Sequence, residues 1–193
     1  MKYGELNLGQ IEAIVNKLGG MDGVHRFLAG SIEIVVKKIL TLVATVKDVA
    51  VESFVALDKF REGKTTDGVR VAWFGDNFKK NFLGKTEKSV APTTLRIQKL
   101  EKNSPDAPIL TDLGDTADTF LANLWELLKK QGSGQKGILL VNGYANIFYI
   151  RDVHNELWAV HASWDAGNDG WYVGADSVTS PGGWDAGCQV VSR

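Results

Sequence analysis

The stretch ELWAVHASWDAGNDGWYVGADSV, residues 156–178, decides the reading of this chain. It is two alternating runs on either side of a turn. On an extended strand successive side chains point to opposite faces. Trp158, Val160, Ala162 and Trp164 therefore share one face, and His161 and Ser163 share the other. Asp169 and Gly170 suit a reversal, because glycine accepts positive φ and aspartate tolerates the left-handed region. The spacing predicts a β-hairpin in which Trp171 and Val173 pair across from Trp164. The indoles read as core, since each carries a large apolar area that gains from burial.

Outward from the hairpin, a second WDAG at 184–187 precedes a last apolar run, GCQVVSR. Upstream, ILLVNGYANIFYIRD holds two apolar runs split by Asn142–Gly143, a tight hairpin or a bulge. The short connections predict antiparallel neighbours, hence a meander of four or five strands from residue 138 to the end. Before it, TADTFLANLWELLKKQG places Phe120, Leu121, Leu124, Trp125, Leu127 and Leu128 on one broad helical face. Asp115 or Thr116 is the expected cap, Lys129 and Lys130 sit in the last turn, and Gly132 is the stop. This helix, over 117–131, is expected to cover one face of the meander.

The first half is more mixed. Asn7 can cap a helix with Leu8, Ile11, Ile14, Val15 and Leu18 inward, and Gly19–Gly20 end it. DGVHRFLAG makes a second short helix from Asp22. The pair is a helical hairpin, 1–30, too small to bury its own apolar stripe. The body, 31–193, begins with ILTLVATVK, where Leu40, Leu42, Ala44 and Val46 face one way and Thr41, Thr45 and Lys47 the other. ESFVALDKFREG reads as a helix, GVRVAWF as a strand, DNFKKNFLG as a helix capped by Asp76, and TTLRIQKLEK as a strand. NSPDAPI reads as a turn, and helix and strand signals conflict over 31–60. The predicted class is α+β: an N-terminal helical hairpin, a mixed middle, and a C-terminal antiparallel β-meander covered by a helix.

Both ends of the chain carry a resemblance. IEAIVNKLGGMDGVHRFLAG resembles the opening of a set of short uncharacterised bacterial proteins, and GWDAGCQVVSR is similar to their Trp-Asp-x-Gly turn and last strand. Residues 31–90 depart most from that set. The resemblance implies a recurring architecture and no activity.

Bulk properties narrow the function. Of 193 residues, 44% are hydrophobic and 23% charged, with a net charge of −1, the profile of a globular protein. Cys188 is the sole cysteine, so no internal disulfide is expected, which fits a reducing compartment. MKYGELNLGQ has no signal-peptide pattern. IEIVVKKILTLVATV is interrupted by Glu33, Lys37 and Lys38 and cannot supply the roughly 20 apolar residues of a spanning helix. The expectation is a cytoplasmic protein with no membrane partner.

No catalytic spacing emerges. A calcium loop from Asp165 has Gly167 where a side-chain oxygen is needed. His25, His154 and His161 are too scattered for a metal site, and no metal or cofactor is expected. Cys188 enters a strand with no helix behind it to stabilise a thiolate. Asp165, Asp169, Asp176 and Asp185, the densest acidic group, look like turn residues and not like a hydrolase's carboxylate pair. The favoured function is a non-enzymatic binding or protein-interaction module. Its contacts would be the Trp-rich sheet end (Trp164, Trp171, Trp184 and His161) or the hairpin, through a protein partner or self-association. The alternative is RNA binding or an endoribonuclease. Residues 59–102 carry 11 Lys/Arg against 5 Asp/Glu and interleave Arg70, Lys79, Lys80, Lys85 and Lys88 with Trp73, Phe74, Phe78 and Phe82, and His161 and Arg151 would serve the chemistry.

Overall fold

A computed structural model describes residues 7–33, 38–47 and 52–193. The start of the chain and the Ile34–Lys37 part of the apolar run at 32–46, both weighed above, lie outside the described residues. The chain divides into two units, Met1–Lys37 and Lys38–Arg193.

The first unit is a helical pair, α1 (Leu8–Lys17) and α2 (Gly20–Leu28). Asn7 caps α1 in a capping box: its side chain accepts from Gln10 N–H at 2.9 Å, and the Gln10 side chain accepts from Asn7 N–H at 3.0 Å. The chain reverses through Gly19 and Gly20, at φ 91° and 79°, angles that glycine alone adopts without cost. Gly23 is buried because α2 passes directly under the end of α1; a Cβ there would overlap the Leu18 carbonyl oxygen.

The second unit is built on one large, mostly antiparallel sheet. Its strands are β1 (Leu40–Lys47), β3 (Lys64–Thr66), β4 (Val69–Phe74), β6 (Thr94–Leu100), β7 (Asp118–Thr119), β8 (Asn146–Arg151), β9 (Leu157–Asp165), β10 (Gly170–Ser177) and β11 (Gln189–Ser192). The order is β1-β6-β11-β8-β9-β10-β4-β3, with β7 also against β8. A small pair, β2 (Phe54–Val55) and β5 (Thr86–Glu87), stands apart. The helices are α3 (Ala56–Lys59), α4 (Asp76–Phe82), α5 (Asp106–Leu113) and α6 (Leu121–Lys130).

The sheet is apolar on both faces. On one, Trp125, Leu121, Leu124 and Leu128 of α6 and Phe78 and Phe82 of α4 share a core with Phe148, Val160, Ala162, Trp171 and Val173. On the other, Ile109 and Leu113 of α5 join Leu100, Ile147, Tyr149, Ala159 and Val190. Alternation along each strand feeds the two cores in turn.

The central hairpin has the expected register. Trp171 lies opposite Trp164 and Val173 opposite Ala162, and Asp169 takes φ 48° at the turn. The meander, however, stops at three strands, β8–β9–β10. The last strand, β11, leaves β10 and inserts between β6 and β8, antiparallel to the first and parallel to the second. The connection carrying Pro181–Gly187 is long enough to cross the sheet end, and β6 and β8 offer two unpaired edges at once.

Other elements also differ from expectation. NSPDAPI is not a turn but leads into α5: Pro105 is its N-cap and Pro108 sits in its first turn, where a missing N–H leaves no bond unmade. The helix expected over 117–131 starts only at Leu121, because Asp118 and Thr119 pair with Tyr149 and Ile150 as β7. ESFVALDKFREG yields one helical turn after β2. The first half of ILLVNGYANIFYIRD is not a strand, since the buried Asn146 side chain bonds both the N–H and the carbonyl of Leu140 at 2.8 and 3.0 Å. In β1 a bulge at Val43 shifts the pairing, Leu42 to Gln98 but Ala44 to Ile97. Leu40 thus joins the α5-side core, while Ala44 and Val46 join the other.

Candidate functional site

A second bulge builds the most distinctive surface of the sheet. β4 runs parallel to β10 with Trp171 opposite Val71, but Tyr172 opposite Trp73. Ala72 is the extra residue. A bulge turns the following side chain to the other face, so Val71 and Phe74 both stay in the α6-side core while Trp73 lands on the α5 face. There it stacks on Tyr172, ring centroids 4.7 Å apart and planes 17° apart. Gly170 permits this arrangement, since a Cβ there would sit 2.9 Å from the Ala72 Cβ.

The aromatic row continues across the sheet. His161 lies opposite Gly174, and a Cβ on that glycine would overlap the imidazole and approach the Tyr172 hydroxyl to 2.8 Å. The imidazole packs between Tyr172, at 5.5 Å, and Trp184, at 5.2 Å. Its Nε2 lies 3.5 Å from Asp176 Oδ2, and this contact holds the Asp176 carboxyl below its ordinary range. Trp184 is fixed from beneath: its indole N–H donates to Asp106 Oδ1 at 2.8 Å, and the Tyr149 hydroxyl donates to the same oxygen at 2.7 Å. Asp106 is 4% exposed. Burial pushes its carboxyl up, against the two hydrogen bonds, and burial beside Asp106 pushes the Tyr149 phenol up as well.

Two hollows flank this row. The larger, of about 1000 Å³, lies between Trp73, Tyr172 and Ser163 on one side and Trp164, Asp165 and the Val141–Gly143 segment on the other. The smaller, of about 470 Å³, lies between Tyr144 and Trp184, with Cys188 in its wall. Asn142 and Gly143 border both, so the two hollows are neighbours, the larger a groove at the end of the sheet. Asp165 is occupied by its own turn: Oδ1 accepts from Gly167 and Asn168 N–H at 2.9 and 3.2 Å, and Oδ2 accepts from the Asn168 amide at 2.7 Å. These bonds hold its carboxyl low.

The four sheet-end candidates part company here. Trp171 is fully buried, its indole N–H donating to the Gln131 carbonyl at 3.2 Å. Trp164 is half-buried, packed edge-to-face on Trp171 at 5.5 Å, and lines the larger hollow. His161 and Trp184 belong to the aromatic row. Tyr172 and Asp106 were not singled out in the sequence, and Trp73 only as one of the aromatics interleaved with the basic residues of 59–102. The one available signal was Gly170-x-Tyr172-x-Gly174, an aromatic between two glycines on one face of a strand, where neighbours can approach closely.

The basic candidates differ in their surroundings. Lys85 has a largely buried side chain, 3.8 Å from Glu87 and donating to the Arg151 carbonyl, and burial lowers its pKa. Lys79 pairs with Glu62 at 3.1 Å on α4. Lys80 and Lys88 are exposed. Arg70 is exposed between Val69 and Val71, whose side chains enter the α6-side core, so it faces away from α4. Arg151 and His161 sit at opposite ends of the β8–β9 ladder, opposite Leu157 and Ile147 respectively, and Arg151 pairs with Asp118 at 2.8 Å. Cys188 is buried with its thiol pushed up by burial. Among the described residues, no three or more His, Cys, Asp or Glu side chains are grouped to hold a metal, and no helix is long and apolar enough to cross a membrane.

Comparison with protein-family models, with curated proteins and with solved structures finds no match to this chain.

Proposed function

We propose that this protein is a non-enzymatic binding module of the cytoplasm, taking a small ligand in the groove at the end of the sheet. The observation that carries the reading is the Trp73–Tyr172 stack at the rim of the larger hollow. Trp73 is 51% exposed, yet a bulge and a glycine hold it in one orientation, so the indole is both accessible and pre-organised. The acids around the two hollows are engaged in holding structure: Asp165 ties its turn, Asp185 accepts from the Asn103 amide at 3.2 Å, and Asp106 beneath the row anchors Trp184 and Tyr149. That engagement favours binding over acid–base chemistry. A lone, buried thiol suits a reducing compartment.

The helical pair supports a second contact, with a protein partner or another copy of the chain. Leu8, Ile11, Ile14, Met21 and Leu28 all keep large exposed areas, a stripe that gains free energy when covered. The RNA reading draws less support, because Lys85 is half-buried and bonded to the Arg151 carbonyl, Lys79 is paired and Arg70 faces away from α4.

The test is a titration of the ¹⁵N-labelled chain with neutral oligosaccharides, choline and adenosine monophosphate. The Trp73 indole and the Ser163 and Asn142 amides are expected to move together with at least one of them. If none moves these resonances, the groove is not a binding site.

A further inference from the structure

We infer that the ligand of the groove is a neutral saccharide, stacked on the outer face of Trp73. The inference rests on the binding-module reading and adds the chemical class. Tyr172 covers one face of the Trp73 ring at 4.7 Å, and the ring's 51% exposure leaves the other to solvent. A flat indole face is complementary to the C–H face of a pyranose or to the base of a nucleotide, and the nucleotide's phosphate decides between the two. Among the described residues, no lysine or arginine lines the larger hollow, so a phosphate or carboxylate would enter with no counter-charge. The one charged side chain in its wall is Asp165, whose two oxygens already accept three hydrogen bonds from Gly167 and Asn168. A cationic ligand would therefore find that carboxylate already engaged.

The remaining polar groups are uncharged and suited to hydroxyls. Ser163 sits opposite Tyr172 on the adjoining strand, and its hydroxyl has no protein partner among the described residues. Asn142 uses its carbonyl oxygen on Tyr144 N–H at 3.3 Å, leaving its amide N–H groups to donate. Asn168 gives one amide N–H to Asp165 and keeps its carbonyl oxygen. One donor–acceptor hydroxyl, one donor and one acceptor surround an aromatic platform, an arrangement that matches alternating sugar hydroxyls above an apolar ring face. The hollow, at about 1000 Å³, is at the upper end of small-molecule sites, roughly 300–1000 Å³, with room for more than one sugar ring.

The experiment uses the full chain, wild type, Trp73→Ala and Trp73→Phe, with the three probe classes named above: gluco-, xylo- and N-acetylglucosamine oligosaccharides, choline, and adenosine monophosphate. At least one oligosaccharide is expected to bind saturably and move the Trp73 indole and Ser163 resonances. Trp73→Ala should weaken that binding by about tenfold or more, the scale of a truncated aromatic anchor. Trp73→Phe should retain most of it, and added salt should leave it unchanged. If choline or the nucleotide moves the groove resonances and no oligosaccharide does, the saccharide inference falls and the binding-module reading stands. If no probe moves them, both fall.

Discussion

Gly174 lies directly across the β9–β10 ladder from His161, and the imidazole occupies the space that any other residue's Cβ would fill. Gly174→Ala should push the ring off its seat between Tyr172 and Trp184. Overpacking of this kind costs about 1–3 kcal/mol. Asp176, held low by its contact with His161, should then titrate nearer an ordinary aspartate. Urea denaturation measures the first effect and carboxyl ¹³C shifts against pH the second. An unchanged stability together with an unchanged Asp176 titration would show that the ring does not need this glycine.

Asp106 anchors Trp184 and Tyr149 through a single oxygen. Asp106→Ala leaves the buried Tyr149 phenol and the part-buried Trp184 indole N–H without an acceptor, at about 1–3 kcal/mol for the phenol and less for the indole. Asp106→Asn keeps an acceptor oxygen and removes the buried charge. The native carboxyl is raised above its unfolded value, so the folded protein holds its proton where the unfolded chain has lost it. That contribution to stability is complete below the unfolded pKa and is lost as pH rises through the folded value. The asparagine variant should therefore gain on the wild type as pH climbs from about 4. Parallel stability–pH curves for the two would refute this.

Glu87 is 7% exposed, and its carboxylate accepts from Leu121 and Ala122 N–H, each at 3.0 Å, at the N-terminus of α6. Those N–H groups have no partner within the helix, and the helix dipole favours an anion there. Glu87→Ala should destabilise the protein by about 1–3 kcal/mol. Glu87→Gln, retaining one acceptor oxygen, should cost less. Chemical denaturation of the two variants against wild type tests the order, and a glutamine as damaging as alanine would contradict it.

Gly23 is the close-approach residue of the helical pair. Gly23→Ala puts a methyl group onto the Leu18 carbonyl oxygen, and amide exchange protection in α1 and α2 should collapse. If the exposed stripe self-associates, Ile11→Glu with Ile14→Glu should lower the sedimentation coefficient at high concentration while keeping helix content. A wild-type chain that sediments as a strict monomer at every concentration would exclude self-association through these helices.

Much of the fold is legible in local pattern. Alternation places Trp158, Val160, Ala162 and Trp164 on one face, and the turn chemistry of Asp169–Gly170 sets the hairpin register. The capping box at Asn7 and the double glycine at 19–20 mark α1 and α2. These signals depend on residues a few positions apart, so the chain states them directly. Buried Trp171 follows from the same alternation.

What only the tertiary structure decided is which surfaces meet. A bulge shows as one residue against none on a partner strand, and the partner of β4 is a strand a hundred residues away. Without that pairing Trp73 reads as one more aromatic in a basic segment, and Tyr172 as one more strand residue. The insertion of β11 between β6 and β8 depends on two edges being open together, and the cap of α6 comes from Glu87, 34 residues before it. The groove exists because these distant choices agree. Backbone bonding satisfies itself across the sheet first, and the side chains left at its end take the places that remain.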